Sequence, residues 1–133
     1  MGLVSRLYAQ MRTHQNGAEM QVDSPMNLRG VTSLRADEVP SVDYYPGVRR
    51  RTLLASETPG GPRILQVEID AGKMFLDLDV HNSGPEYIYV VEGVFGDGAH
   101  EHPPGTFIRH PAGSSHIPQS KSGCKLIVFL PSG

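Results

Sequence analysis

Hydrophobic residues recur at alternate positions over several short stretches of this chain, and turn residues separate the stretches. Seven segments have this strand-like composition: residues 31–34, 48–56, 63–70, 74–81, 86–92, 106–110 and 124–130. Glycine and proline mark the turns between them, as at Pro46-Gly47 and Ala71-Gly72. Short strands with frequent turns are typical of a β-sandwich or β-barrel, so we predict an all-β fold.

The start of the chain has a different pattern. Apolar residues recur there at helical spacing: Leu3, Val4, Leu7, Tyr8 and Met11. This spacing predicts a short amphipathic helix, which would end near Asn16-Gly17. We therefore divide the chain into an N-terminal arm, residues 1–45, and a β domain, residues 46–133. The arm is expected to pack on the β domain or on a partner subunit.

Composition excludes several classes of protein. The 133 residues include 12 basic and 14 acidic side chains, a net charge of −2 that gives no electrostatic reason to expect nucleic acid. No apolar run approaches the ~20 residues that span a bilayer, and the start lacks the apolar core of a secretory signal. A single cysteine excludes an internal disulfide and agrees with a reducing cytoplasm. We expect a cytoplasmic protein that binds neither nucleic acid nor membranes.

The segment 105–116 contains two glycines, a proline and a histidine at fixed offsets. Proline and glycine at Pro111 and Gly113 interrupt the β-ladder where the two residue types are tolerated. His116 then begins the next short strand, where a side chain can point into a barrel. This segment supplies half of a candidate site.

The other half lies upstream, between residues 79 and 93. Side chains on a strand alternate between faces, so Asp79 and His81 share one face. If His81 points into the barrel, Glu86 on the next strand can meet it across the hairpin, and His116 can complete the set. Two imidazoles and a carboxylate, with Asp79 as a possible fourth ligand, suit iron(II), manganese, nickel or zinc.

The opposite face of the Asp79 strand is apolar and carries Leu76, Leu78 and Val80. Simple alternation would direct this face to the core and Asp79 to solvent. We interpret the three apolar residues as outer-face residues that a second subunit buries, and therefore expect a homodimer. A β-bulge near Asp77 that reverses the facing is the alternative.

The two segments resemble the paired motifs of the cupin superfamily (RmlC-like proteins). The second motif, Gly-x5-Pro-x-Gly-x2-His, is complete in residues 105–116. In the first motif His81, Glu86 and Gly93 match, whereas Asp79 stands where the family has a histidine. With its flanking strands, the resemblance extends over about residues 45–131. It implies a double-stranded β-helix, the jelly roll, with one divalent metal ion inside.

Residues 93–98 and 122–126 also resemble the ChrR-type cupins. That group includes the zinc-binding domain of an anti-sigma factor and dioxygenases that cleave small diketone-like or hydroxyacetophenone-like substrates. The resemblance implies a dioxygenase-type enzyme that acts on a small oxygenated organic substrate. Two alternatives stay open: a non-catalytic zinc or ligand sensor, and a metal-free cupin, which the histidine replaced by Asp79 would permit.

Other polar residues are interpreted as structural or exposed. His100 and His102 lie in a turn-rich segment and are expected in solvent, and His110 is expected to be exposed near the mouth of a pocket. The three arginines 49–51 alternate faces along one strand, so at least one should pair with an acidic group. Nothing in that run indicates an anion site. Cys124 begins an apolar strand and is expected to be buried.

Overall fold

The computed structural model describes residues 11–13, 20–22 and 25–133. The chain divides into two compact units, Met1–Ser33 and Leu34–Gly133. In the first unit, β1 (Met11–Thr13) pairs antiparallel with β2 (Met20–Val22). The helix predicted near the start lies outside the described residues, apart from Met11, which begins β1. The strand predicted at residues 31–34 is wrong, because this segment has no regular secondary structure and pairs with none of the described strands.

The second unit consists almost entirely of strands. A 3-10 turn at Ala36–Glu38 precedes five strands in the first half of the unit: β3 (Val42–Tyr45), β4 (Val48–Ala55), β5 (Arg63–Ile69), β6 (Lys73–Met74) and β7 (Asp79–Val80). Seven more follow: β8 (Glu86–Gly93), β9 (Phe95–Gly96), β10 (Glu101–His102), β11 (Phe107–His110), β12 (Ser115–His116), β13 (Gln119–Ser120) and β14 (Cys124–Leu130). The described helices include none long and apolar enough to cross a membrane.

All strand pairs are antiparallel, and the strands of the second unit form three sheets. A six-stranded sheet has the order β11-β8-β14-β5-β4-β3. Opposite it lie a four-stranded sheet, β10-β9-β13-β6, and a two-stranded sheet, β12-β7. Phe95 of β9 packs in the same core as Ile88 of β8, so side chains from the two layers meet inside the shell. The predicted all-β jelly roll is confirmed.

Alternation along β8 decides which of its residues enter the shell. Glu86, Ile88 and Val90 are buried, whereas Tyr89 and Val91 are exposed. Burial of an aliphatic side chain such as Ile88 contributes about 1.5–3 kcal/mol to stability, which fixes the facing of the whole strand. Glu86 is therefore held inside by the apolar residues that follow it.

The predicted strand at residues 74–81 is interrupted. The chain bends at Leu76 and Asp77, between β6, which pairs with β13, and β7, which pairs with β12. Leu76 is 71% exposed, Leu78 55% and Val80 43%, so these apolar side chains avoid the core, as the sequence indicated. Their burial by a second subunit stays a prediction.

Gly93 ends β8 at a point where no side chain fits. Its φ of 71° lies in the left-handed region, and a Cβ there would be 1.9 Å from the carbonyl oxygen of Gly123. This close approach lets β14 stay paired with β8 through Cys124, beyond a register shift in the ladder. The closing glycine of the first motif is thus required by packing.

Candidate metal centre

Four buried side chains converge inside the second unit: His81, Glu86, His110 and His116. They are between 6% and 8% exposed, and one potential ligand atom from each lies within 4.8 Å of the others. A carboxylate and three imidazoles rarely share one buried place unless charge or metal compensates them.

Strand pairing brings the four residues together from distant parts of the sequence. His110, the last residue of β11, lies directly opposite Glu86, the first residue of β8. His116 of β12 lies opposite Asp79 of β7. His81 follows β7, where its backbone N–H donates to the carbonyl oxygen of Ser114 at 2.9 Å. Backbone hydrogen bonding therefore fixes the Cα positions from which the four side chains extend into the cluster.

The cluster is centred on one oxygen atom of Glu86. Its Oε1 lies 3.6 Å from Nε2 of His81, 3.5 Å from Nδ1 of His110 and 3.4 Å from Nε2 of His116. These separations are long for hydrogen bonds, and in the described part of the chain Nε2 of His81 and Nδ1 of His110 have no hydrogen-bond partner. A buried polar atom without a partner costs about 1–3 kcal/mol. A divalent cation between these atoms would satisfy them, and three nitrogens with one carboxylate oxygen fit such an ion.

Asp79 lies beside this cluster. Its Oδ2 accepts a hydrogen bond from Nε2 of His116 at 3.2 Å and lies 4.0 Å from Nε2 of His81. Its side chain is 31% exposed and lines the adjoining cavity. Of the ligands predicted from the sequence, His81, Glu86 and His116 are brought together, and Asp79 stands next to them. Its role as a ligand stays a prediction.

The electrostatics of the site favour a cation at its centre. Burial opposes protonation of His116, but the hydrogen bond to Asp79 and the nearby carboxylate of Glu86 outweigh burial and raise its pKa to about 9. Burial, and then the positive charge of His116, lower the pKa of His110. The hydrogen bond from His116 lowers the pKa of Asp79, although burial opposes it. In the protein without metal, the proton on His116 supplies the positive charge that these carboxylates require.

His110 is the functional candidate that sequence reasoning missed. It was expected to be exposed, and that expectation is wrong, because the side chain is buried inside the shell. Alternation from Ile108, which packs against the core, offered a signal that His110 faces inward. His100, by contrast, is 77% exposed as expected, and His102 is half-buried, 3.0 Å from Asp97.

A cavity of about 220 Å³ adjoins the cluster. Asp79, His81 and Glu86 of the site contribute to its lining. The remaining wall is mostly apolar, with contributions from the following core residues: Val48, Leu65, Val67, Ile69, Phe75, Ile88, Phe95, Leu126 and Val128. Such a cavity, apolar with a few convergent polar groups, is typical of a small-molecule site.

The sequence profile of the family described as "ChrR Cupin-like domain" matches residues 30–132. No curated protein matches the sequence of this chain. The profile covers both motifs and all four residues of the buried cluster.

Many solved structures share the fold. An RmlC-like cupin protein from Ralstonia eutropha is 18% identical with a TM-score of 0.66, covering 77% of this chain and 69% of that one. ChrR, an anti-sigma factor crystallised with SigE of Rhodobacter sphaeroides, is 20% identical with a TM-score of 0.61, covering 71% and 50%. The polyketide cyclase RemF from Streptomyces resistomycificus is 19% identical with a TM-score of 0.65, covering 77% and 80%. At these identities the likeness shows the fold alone.

Proposed function

The chain belongs to the ChrR cupin-like domain family, and we propose that it is a metal-dependent enzyme of dioxygenase type that acts on a small oxygenated organic substrate. The metal would be one divalent ion, held by His81, Glu86, His110 and His116. The substrate would bind in the adjoining cavity.

The observation that carries this proposal is a set of buried ring nitrogens without hydrogen-bond partners among the described residues. Two of them, Nε2 of His81 and Nδ1 of His110, lie 3.6 and 3.5 Å from Oε1 of Glu86. In a protein that binds no metal, these atoms would lower stability without compensation. An ion at their centre turns the unsatisfied atoms into ligands. Four protein donors also leave coordination positions for substrate on an ion that prefers six.

The bound metal would supply Lewis-acid chemistry and a platform for chelating vicinal or β-related oxygen atoms. The chain's own residues do the rest. Apolar side chains such as Leu65 and Phe75 exclude water from the cavity, which strengthens electrostatic interactions inside it. The carboxylate of Asp79 lies beside the cluster and lines the cavity, so it can accept a hydrogen bond from a substrate hydroxyl.

Elemental analysis combined with oxygen uptake tests the proposal. Protein purified without added metal should contain about one iron, manganese or nickel ion per chain and should consume oxygen with a member of a panel of β-diketones and hydroxylated ketones. His116→Ala should lose metal and uptake together, whereas the matched control His100→Ala should lose neither, because His100 is exposed. Stoichiometric metal without uptake on any panel member would contradict the enzyme assignment.

A non-catalytic zinc sensor is the second candidate, and the closed donor set favours it. Three histidines and one glutamate are enough to complete a tetrahedral zinc site without any open position. The likeness to the anti-sigma factor ChrR is in agreement with such a role. Tightly held zinc that no diketone perturbs would favour the sensor, and an empty site in protein supplied with metal would favour a metal-free cupin.

A further inference from the structure

Two arginines line the cavity without an acidic partner. Arg50 of β4 and Arg63 of β5 contribute to its wall, and within the described residues neither forms an ion pair. The two arginines that flank Arg50 on β4 do form ion pairs: Arg49 and Arg51 both pair with Glu68 on the other face of the sheet. The expected arginine–acid pairing is thus confirmed, but it leaves out the arginine that faces inward.

The strand register places Arg63 level with the metal cluster, two strands away in the same sheet. Arg63 lies opposite Leu130 on β14. On the other side of β14, Phe129 lies opposite Tyr87, so Leu130 is level with Glu86. Glu86 and Arg63 are therefore two strand spacings apart on the same face of the sheet, about 10 Å between backbones.

Arg50 lies on the strand next to that of Arg63, about 13 Å farther along the sheet. It lies opposite Val67 of β5, and its guanidinium carbon is 4.8 Å from the centre of the Tyr44 ring, which also lines the cavity. Stacking on an aromatic ring fixes the plane of a guanidinium and leaves its N–H groups free to bind a carboxylate. Both arginines are half-buried, which weakens screening by solvent.

Charge in the cavity is unbalanced once a metal is present. A divalent ion would be neutralised by the carboxylates of Glu86 and Asp79, so no further acidic side chain among the described residues that line the cavity balances the charges of Arg50 and Arg63. Arginine binds a carboxylate through two parallel charge-assisted hydrogen bonds. The cavity therefore combines a chelating end and a cationic end.

We propose that the substrate of this site carries a carboxylate, or another small oxyanion, at the end remote from the metal, and that Arg50 and Arg63 bind it. This inference rests on the proposed function, because the metal holds the other end of the substrate. The cavity of about 220 Å³ is below the usual ~300–1,000 Å³ of ligand pockets, so the substrate is small. A chelating β-diketone with a carboxylate on a two-carbon arm has a suitable length.

Binding of a matched pair of probes tests the inference: 4,6-dioxoheptanoate and its neutral primary amide. Both are measured by calorimetry on metal-loaded protein, and a cobalt(II)-loaded sample reports chelation by its visible spectrum. The carboxylate should bind at least about tenfold more tightly than the amide, the range expected for a charge-assisted hydrogen bond. Arg50→Gln and Arg63→Gln should each reduce that preference.

Arg109→Gln is the matched control. Arg109 is exposed on the outer face of β11, so its replacement removes one positive charge without touching the cavity. The control should keep the full preference for the carboxylate. Equal affinity for the two probes, or a preference that Arg109→Gln lowers as much as the cavity variants, would overturn the inference.

The two proposals fail in different ways. If both probes change the cobalt spectrum but bind equally well, the metal-dependent function stands and the anion assignment is wrong. If the protein takes up no metal, or if neither probe changes the spectrum of the loaded protein, the proposed function fails and this inference fails with it.

Discussion

Replacement of His110 by alanine is the most informative change, because only the structure placed this residue in the site. His110→Ala removes one of the four candidate metal ligands. Nδ1 of His110 lies 3.5 Å from Oε1 of Glu86. Loss of a group that merely supports a metal ligand lowers affinity about 10–100-fold. Loss of a ligand should lower metal affinity further, so we expect a decrease of at least about 100-fold. This corresponds to about 2.8 kcal/mol of binding free energy, at 1.4 kcal/mol per factor of ten.

Stability of the metal-free protein should change little. The substitution opens a small cavity, but it also removes a buried nitrogen without a hydrogen-bond partner, which costs about 1–3 kcal/mol in the wild type. Because the two effects oppose each other, we expect a change in unfolding free energy below about 2 kcal/mol. Competition titrations against a chelator measure the affinity, and urea denaturation measures the stability.

A double substitution tests whether a histidine at position 79 can replace His110 as a metal ligand. The double variant Asp79→His/His110→Ala puts a histidine where the cupin motif has one and removes it from position 110. The double variant should recover most of the lost metal affinity, because position 79 is already next to the cluster: Oδ2 of Asp79 lies 3.2 Å from Nε2 of His116. His100→Ala serves as the control and should leave affinity unchanged. An unchanged affinity in His110→Ala itself would refute the assignment of His110 as a ligand.

Three further predictions concern the shell and its charges. Gly93→Ala should lower the unfolding free energy by about 3 kcal/mol, because the φ of Gly93 is left-handed and a Cβ there would lie 1.9 Å from a backbone oxygen. Urea denaturation measures the change. An unchanged denaturation midpoint would contradict the prediction and show that β8 can shift. Asp79→Asn should lower the pKa of His116 from about 9 in metal-free protein, since it removes a carboxylate that stabilises the imidazolium. An NMR titration measures this pKa. A value that stays near 9 in the variant would assign the shift to Glu86 alone. Glu68→Gln should lower the unfolding free energy by about 1 kcal/mol at pH 7. Burial raises the pKa of Glu68, but Arg49 and Arg51 outweigh burial and hold this pKa below 4.5. The difference should vanish as pH falls below 4.5 through the depressed pKa, and a cost that persists at pH 2 would contradict this origin.

The strands that pattern alone predicted are those with long alternating or apolar runs. Residues 86–92 and 124–130 match β8 and β14 closely, because their apolar residues fill the core of the six-stranded sheet. Two-residue strands such as β9 and β13 were not predicted. Only pairing with distant segments defines them, and two residues carry no periodicity.

The candidate site shows the same division between local and distant information. His81, Glu86 and His116 followed from motif spacing, which is local. Local alternation from Ile108 indicates that His110 faces inward, but its position opposite Glu86 required the register between β11 and β8, and register depends on the whole sheet. Asp79 was ambiguous because the bend at residues 76–77 breaks the alternation by which its facing would have been decided.

The most direct measurement is anomalous diffraction at the absorption edge of the metal that the purified protein contains. We predict a single peak inside the shell, within about 2.0–2.3 Å of one nitrogen of each of His81, His110 and His116 and of a Glu86 oxygen. A peak ligated through Asp79 with His110 turned away, or crystals of metal-supplied protein without any peak at the cluster, would contradict the four-ligand centre.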